Sequence, residues 1–307
     1  MPQSPQLPPG LIVFERGWLS ANNILFIGPR ESALVDSGYC THSPQTLSLV
    51  GSALGPRPLD LLLNTHLHSD HCGGNFALQT RYPSLRTLIP PGEAAQVRDW
   101  NVDALTYMPT GQQCPRFGFN GVITAGESVM LGERLWEVHG SPGHDQHSVI
   151  LFEPVSRTLI SADSLWENGF GVVFQELEGA DAFDEVSCTL DLIQRLDPLV
   201  VIPGHGKVFS DINQSLGAAR RRLDSFVRDP ARHANHAAKV LLKFKLLELQ
   251  RVRAAELLAW ACSTPYFRMV HKAWFGSSEI KAWVEQLAQD LARVGAATIE
   301  GEYIVNG

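Results

Sequence analysis

The sequence is short of cysteine, of charge and of long apolar runs, and each shortage excludes something. Only 5 of its 307 residues are cysteines. Cys40, Cys72, Cys114, Cys188 and Cys262 are odd in number, and their spacing fits neither a zinc knuckle nor a CxxC redox pair. Free thiols in a reducing compartment are expected, not a disulfide framework. No run of about 18 apolar residues occurs, so no membrane-spanning helix is expected. The opening MPQSPQLPPG is proline-rich and holds no apolar core of signal-peptide length. Together these absences predict a soluble, cytoplasmic protein. Low-complexity tracts and internal repeats are also missing, and with charged residues at 19% the chain does not read as disordered.

What is present suffices for a large domain and a small one: 44% of the 307 residues are hydrophobic. Charge is uneven along the chain. Residues 1–215 hold 11 Lys+Arg and 23 Asp+Glu, a balance of -12; residues 216–307 hold 14 and 9, a balance of +5, and the two sum to the net -7. The change of sign suggests two modules, 1–215 and 216–307, with the boundary in the region 210–230 and carried by a continuous helix.

The first module consists of short apolar runs broken by Gly, Pro and Asn. Strands are expected at LIVFE (11–15), NILFIG (23–28), SALVDSG (32–38), LDLLLNTH (59–66), LRTLIP (85–90), ESVML (127–131), LWEVHG (135–140), HSVILFE (147–153), RTLISA (157–162) and LVVIPG (199–204). The run at 59–66 carries a single charge, Asp60, which suits a strand buried on both faces. Helical patterning fits 44–54, 75–82, 92–105 and 181–196. After Ser210 the pattern is helical, at 211–228, 233–250, 253–262 and 278–294, and ends in a hairpin, ATIEGEYIV (297–305), with Gly301 at its turn.

Residues 65–75 read THLHSDHCGGN. His66 and His68 follow a strand at i and i+2, so both rings can reach one ion. Asp70 and His71 come as the chain turns and would serve a neighbouring position. The glycines are expected to permit a tight turn beside the cluster. Three later stretches each end an apolar run in a ligand-type residue: SPGHDQ supplies His144, LISADSLW supplies Asp163, and VIPGHGKVF supplies His205. Five histidines and two aspartates suit zinc, and also manganese or iron.

The ordered set THLHSDH, SPGH, SADSLW and PGHG resembles the metallo-β-lactamase-fold hydrolases over residues 10–210. The resemblance implies a four-layer αββα sandwich of α/β class with two divalent metals at one edge, followed here by a small helical, winged-helix-like module. It assigns His66, His68 and His144 to the first metal and Asp70, His71 and His205 to the second, with Asp163 bridging. VDSG (35–38) resembles the first motif of the family, which makes Asp36 an orienting partner of a ligand and not a ligand itself. The expected chemistry is attack by a metal-bridging hydroxide, oriented by the catalytic Asp70, on a small ester, thioester or lactone. Cys72 is expected to pack inward and take no part.

The first motif is close to that of glyoxalase II, whereas PGHGKVF departs from that enzyme's last motif. The PGHG ending with a helical tail is similar to a branch that includes an endoribonuclease, so an endoribonuclease or phosphodiesterase is the alternative activity. Scattered basic residues and the acidic first module make nucleic acid the weaker partner. A weakly active regulatory binding protein is a further alternative. Substrate contacts are expected from His147, Trp166 and Phe170. Residues 166–179 are expected to wall an apolar pocket that favours neutral or acyl-type substrates. Aromatics in 100–122 either wall the pocket or pin their loop, and those of 263–278 suit a dimer contact or a pocket wall. His139 reads as a buried strand-end residue, and His233, His236 and His271 as ordinary surface or packing residues.

Overall fold

The computed structural model describes residues 5–179 and 182–307. Residues 1–4 of the proline-rich opening, and Asp181 at the first position of the helix expected over 181–196, lie outside the described residues.

Strands β1 (Leu11–Phe14), β2 (Asn23–Ile27) and β3 (Ser32–Val35) form an antiparallel meander. Helix α1 (Ser43–Leu54) then crosses to β4 (Leu61–Leu63), which runs parallel to β3. Short helices α2 (Ser69–Cys72) and α3 (Asn75–Arg81) lead into β5 (Arg86–Ile89). Next come α4 (Ala94–Asp99), α5 (Tyr107–Thr110) and β6 (Gly121–Val122). The six strands line up in chain order, parallel from β3 onward.

The second sheet takes β7 (Ser128–Leu131), β8 (Arg134–Gly140), β9 (Val149–Glu153) and β10 (Thr158–Ala162) as antiparallel neighbours. After α6 (Gln175–Glu178) and α7 (Ala182–Leu196), β11 (Val200–Pro203) returns parallel to β10 and closes the order β11-β10-β9-β8-β7.

Strand alternation builds the layers. Between the sheets Ile24, Phe26, Val35, Leu61 and Leu63 meet Trp136, Val138, Leu151, Ile160 and Ile202. The intervening Leu25, Leu34 and Leu62 turn to the other face and pack on Val50 and Leu54 of α1 and Leu78 of α3. That is why β4 is leucine throughout: both of its faces are covered. On the far side Ile150, Phe152, Leu159 and Val201 pack on Val186, Leu190 and Ile193 of α7, which lie one helical turn apart. The result is helix, sheet, sheet, helix, the four-layer sandwich expected from the motifs.

Helix α8 (Ile212–Arg228) is capped by Asp211, which accepts from the Gln214 amide at 3.2 Å. The 215/216 division falls inside α8. This helix packs on the sandwich, with Leu216, Ala219, Leu223 and Phe226 joining the α7 cluster. Asp229 then caps α9 (Pro230–Leu249), with Pro230 in the first turn. β12 (Arg251–Arg253), α10 (Ala254–Ser263), α11 (Pro265–Val270), a π-turn (His271–Phe275), α12 (Ile280–Arg293) and the hairpin β13 (Ala297–Glu300) and β14 (Tyr303–Asn306) follow. The small sheet has the order β12-β14-β13, the strand on one side and wing on the other of a winged-helix arrangement.

Several local expectations need correction. The helix expected over 92–105 stops at Asp99, because Trp100 adopts left-handed backbone angles (φ 55°, ψ 51°). The segment 263–278 does not wall the cavity: Tyr266, Phe267 and Val270 fill the core of the helical module, and Trp274 is exposed. His139 is half-buried beside Glu137 at 3.2 Å, not enclosed. Among the described residues no helix is long and apolar enough to cross a membrane.

Candidate metal centre

The site lies where the two sheets' loops meet, and each of its side chains arrives by a local device. After β4 the chain leaves the strand with His66 and His68, then enters α2, whose first turn presents Asp70 and His71. The chain does turn at Gly73 and Gly74, between α2 and α3, but with ordinary φ values of -61° and -82° that any residue can adopt. Their need is space. A Cβ on Gly73 would sit 2.4 Å from the Ser69 carbonyl oxygen and 2.7 Å from the Cys40 amide nitrogen, and one on Gly74 would sit 2.5 Å from the Ser37 carbonyl oxygen. In β10 the register slips between Ile160 and Ala162, Ala162 turns to φ 45°, and Asp163 is aimed into the cleft.

Two donor groups result, His66 with His68 and His144, and Asp70 with His71, Asp163 and His205; within each, one ligand atom per residue lies within 4.8 Å of the others. Asp163 faces both. Its Oδ1 is 3.4 Å from His71 Nε2, and its Oδ2 is 3.5 Å from His144 Nε2 and 3.8 Å from His205 Nε2. His68 Nδ1 and His144 Nε2 face each other at 2.9 Å, and His205 Nε2 is 3.1 Å from Asp70 Oδ2.

The hydrogen bonds fix which ring nitrogens are bare. His144 Nδ1–H donates to the Val172 carbonyl at 2.6 Å, leaving Nε2 with a lone pair. His71 Nδ1–H donates to Asp36 Oδ2 at 2.8 Å, which turns its Nε2 into the cleft. Thr65 Oγ1–H also donates to Asp36 Oδ2, at 2.8 Å, so the same oxygen of Thr65 accepts from His66 Nδ1–H at 3.1 Å. Asp36, left-handed at φ 59°, thus orients one histidine directly and another through Thr65. His66 Nε2 and His71 Nε2 are buried and have no hydrogen-bond partner. Buried polar atoms are rarely left so, and two of them converging with carboxylates fit a cation site. This donor set suits divalent metal.

Electrostatics agree. Burial first, and the neighbouring rings second, hold His66 well below the usual imidazole range. Burial and His68 bring His144 down to about 4. At neutral pH this group offers uncharged nitrogen. Burial pushes Asp163 upward, but His205 and His71 outweigh it and hold the carboxyl well below the ordinary carboxylate range. His71 is pushed down by burial and raised more strongly by Asp163 and Asp36, to well above its ordinary value. Burial raises the Cys72 thiol well above its ordinary value; it packs inward against Leu67 and Tyr107, as expected of a spectator.

The donor groups open onto a cavity of about 790 Å³ that continues between the sandwich and the helical module. Trp166 and Phe170 line it, with Val172 and Phe174 of the same segment, and Trp166 Nε1–H donates to Asp163 Oδ1 at 3.2 Å. His147 does not line it. Its exposed ring lies over Gly92, on the outside of the loop. From residues 100–122 the wall is polar (Thr106, Thr110 and Gln112), while Trp100, Tyr107, Phe117 and Phe119 pin the loop to Leu67 and Cys72. His233 is buried between Phe183 and Phe226, and His236 lines the cavity instead of being a plain packing residue.

Sequence reasoning missed the segment between β1 and β2. Trp18 stacks on His205 with centroids 5.6 Å apart and planes at 10°. Ala21 N–H donates to the Asp70 carbonyl at 2.9 Å, and the Asn22 amide side chain donates to the Pro203 and Gly206 carbonyls, each at 2.9 Å. This segment ties the two metal-side loops together. The only sequence signal was a polar, aromatic break, WLSANN, between two strands.

The profile of the metallo-beta-lactamase superfamily matches residues 16–205. The acyl-coenzyme A thioesterase MBLAC2 of Gallus gallus is 28% identical over 213 residues, 62% of this chain and 73% of that one. A hydroxyacylglutathione hydrolase of Anaeromyxobacter dehalogenans is 32% identical over 222 residues, 69% of this chain and 74% of its own length. Of the hydroxyacylglutathione hydrolases of Brucella anthropi and Thermosynechococcus vestitus the chain spans 60% and 56%, and of that of Mesorhizobium japonicum 37%. In fold, the chain is similar to the metallo-beta-lactamase family protein TTHA1429 of Thermus thermophilus, with a TM-score of 0.58 at 19% identity over 98% of this chain and all of that one. TTHA1623, solved in a di-iron-bound form, gives 0.52 at 24% identity over 68% of this chain and 97% of its own. With a profile that covers more than half of it, the chain belongs to the metallo-beta-lactamase superfamily.

Proposed function

We propose that the protein is a dinuclear metallohydrolase that cleaves a small acyl ester or thioester. The observation that carries this is the placement of Asp163 between the donor groups, with Oδ1 toward His71 and Oδ2 between His144 and His205. His66, His68 and His144 would hold one divalent ion, and Asp70, His71 and His205 the other, with Asp163 shared. Two such ions supply a water-derived nucleophile at neutral pH and polarise the scissile carbonyl.

The remaining work falls to the chain. Asp36 and Thr65 hold the rings of His71 and His66 in the tautomers that present bare nitrogen. Trp166 fixes the Asp163 carboxylate from the cavity side. Asp70, whose carboxylate lies on the open side of its group and is partly exposed, orients the attacking water. Phe170, Val172 and Phe174 exclude bulk water and give an acyl chain an apolar wall. The relatives named for acyl-coenzyme A and hydroxyacylglutathione hydrolysis support a thioester among acyl substrates. Zinc suits the five imidazoles best, with iron or manganese also compatible.

The test is metal content per chain in protein purified without added metal, together with turnover of a panel of thioesters, lactones, phosphodiesters and short RNA. About two ions with acyl turnover is the expected result. Cleavage of RNA or phosphodiesters alone would transfer the assignment to the nuclease branch. One ion or none would overturn the dinuclear reading.

A further inference from the structure

The cavity that leads away from the donor groups is lined by Lys207, Arg222, Lys239, Lys243 and Arg293 and, apart from the donor aspartates, by Glu167 and Asp290. Among its cations, Lys239 pairs with Asp290 at 3.7 Å, and Arg293 pairs with the same carboxylate at 2.9 Å. Lys243 Nζ donates to the Ala296 carbonyl at 2.6 Å and to the Gly307 carbonyl at 3.1 Å. Lys207 is exposed. Arg222 of α8 is different. Its guanidinium is half-buried in the cavity wall, yet among the described residues it has neither hydrogen bond nor ion pair. Burying an unpaired charge is costly, and a cost of that kind is tolerated where a ligand supplies the counter-charge.

The loop that walls the donor groups also places Arg222. Gly171 lies against His144 and Asp163: a Cβ there would come within 2.7 Å of His144 Nδ1 and 2.8 Å of the Asp163 Cβ. Gly169, two residues earlier, lies against the guanidinium: a Cβ there would come within 2.6 Å of Arg222 Nη1. Two residues of chain span at most about 7 Å. The unpaired cation therefore sits a short molecule's length from the donor groups, and Phe170 lines the passage between. His236, also on the wall, is held down to about 4 by burial first and then by Arg222, His233, Lys239 and Arg232. Lys239 in that group is paired with Asp290, so the charge left without a partner there is that of Arg222.

We infer that the ligand carries a terminal anion, a carboxylate or a phosphate, which Arg222 binds while the scissile carbonyl lies at the donor groups. The planar guanidinium suits either anion, because both can accept two parallel N–H bonds. This narrows the neutral, acyl-type substrate expected from the sequence: the middle of the cavity is apolar, but its far end is cationic. The inference rests on the acyl-hydrolase reading, and its test separates the two.

Matched short thioesters that end in a methyl group, a carboxylate or a phosphate are compared with the native protein, Arg222→Gln and Arg222→Lys. In parallel, calorimetry follows binding of adipate and of butyl phosphate, which needs no turnover. The expected result is a kcat/KM at least tenfold higher for one anionic thioester than for the neutral one, expressed mainly in KM. That ratio falls tenfold or more in Arg222→Gln and returns in part in Arg222→Lys, and the same anion loses its calorimetric signal in Arg222→Gln. Whether carboxylate or phosphate wins identifies the source of the charge. Equal kcat/KM for the three thioesters, or anion binding that survives Arg222→Gln, would overturn the inference while leaving the hydrolase in place. Failure to hydrolyse any of the three would count against the acyl-hydrolase reading, and calorimetry would then decide the anion site alone.

Discussion

Thr65→Val isolates one bond of the orienting network. Valine keeps the shape of threonine and removes only the hydroxyl, which donates to Asp36 at 2.8 Å and accepts from His66 Nδ1 at 3.1 Å. The Thr65 backbone amide still donates to Asp36 Oδ1 at 2.9 Å, and His71 keeps its own bond to Asp36. The variant therefore leaves the ring of His71 held and frees that of His66. A buried N–H without an acceptor costs about 1–3 kcal/mol. The His66 ring can avoid that cost by changing tautomer or rotating, and either change withdraws the bare Nε2. Loss of such a partner typically weakens metal binding about 10–100-fold, or about 1.4–2.7 kcal/mol. The assay is a chelator competition that resolves two binding steps. In Thr65→Val only one step should weaken by that factor, whereas Asp36→Asn should weaken both. Two unchanged steps in Thr65→Val would refute the claim that Thr65 sets the His66 tautomer.

Gly204→Ala should cost the metal centre itself, since the new Cβ would fall 2.1 Å from Asp163 Oδ1; circular dichroism should report a folded chain while metal content drops. His147→Ala should change KM less than twofold, because the ring lies outside the cavity; a large rise in KM would return His147 to the substrate site. The metal-free protein should lose thermal stability as pH falls from about 6.5. Burial holds His66, His68, His144, His233 and His236 below their ordinary range in the fold, so only the unfolded chain gains their protons there, and the loss continues until the folded rings titrate, at about 4 for His144 and His236. His71, held high, acts oppositely: its contribution is present in acid and fades as pH rises through its raised value. His42 is lowered as well, by burial and Arg16, and one raised ring against six lowered ones leaves the fall dominant; a melting temperature that is flat or rising between pH 6.5 and 4 would contradict it.

What was legible in the sequence was what depends on local pattern. The strands announced themselves by short apolar runs, and the all-leucine β4 announced its two covered faces. The seven candidate ligands were legible because each follows an apolar run, and strand ends collect at a sheet edge. Spacing divided only the first four, His66 and His68 from Asp70 and His71; the places of His144, Asp163 and His205 came from resemblance. What stayed hidden depends on contacts distant in sequence. Trp18 stacks on His205, 187 positions later in the chain, and Asn22 reaches Pro203. Nothing in WLSANN marks those partners. β12 was missed because three residues, Arg251–Arg253, form a strand only by pairing with β14 at the far end of the module.

The glycines show how a correct motif can carry a wrong reason. GlyGly after His71 suggested a tight turn, and the turn is there, but its φ values need no glycine. The requirement comes instead from the segment 37–40, which packs directly on it, with the Gly74 amide donating to the Gly38 carbonyl at 2.9 Å. That close approach lets Ser37 N–H reach the His71 carbonyl at 2.7 Å while the adjacent Asp36 reaches the His71 ring at 2.8 Å. A side chain at either glycine would push the two segments apart and lengthen both bonds. The glycines thus act on the metal centre through Asp36 and not through special backbone angles, so Gly74→Ala should disturb binding at His71 more than at His66, the reverse of Thr65→Val.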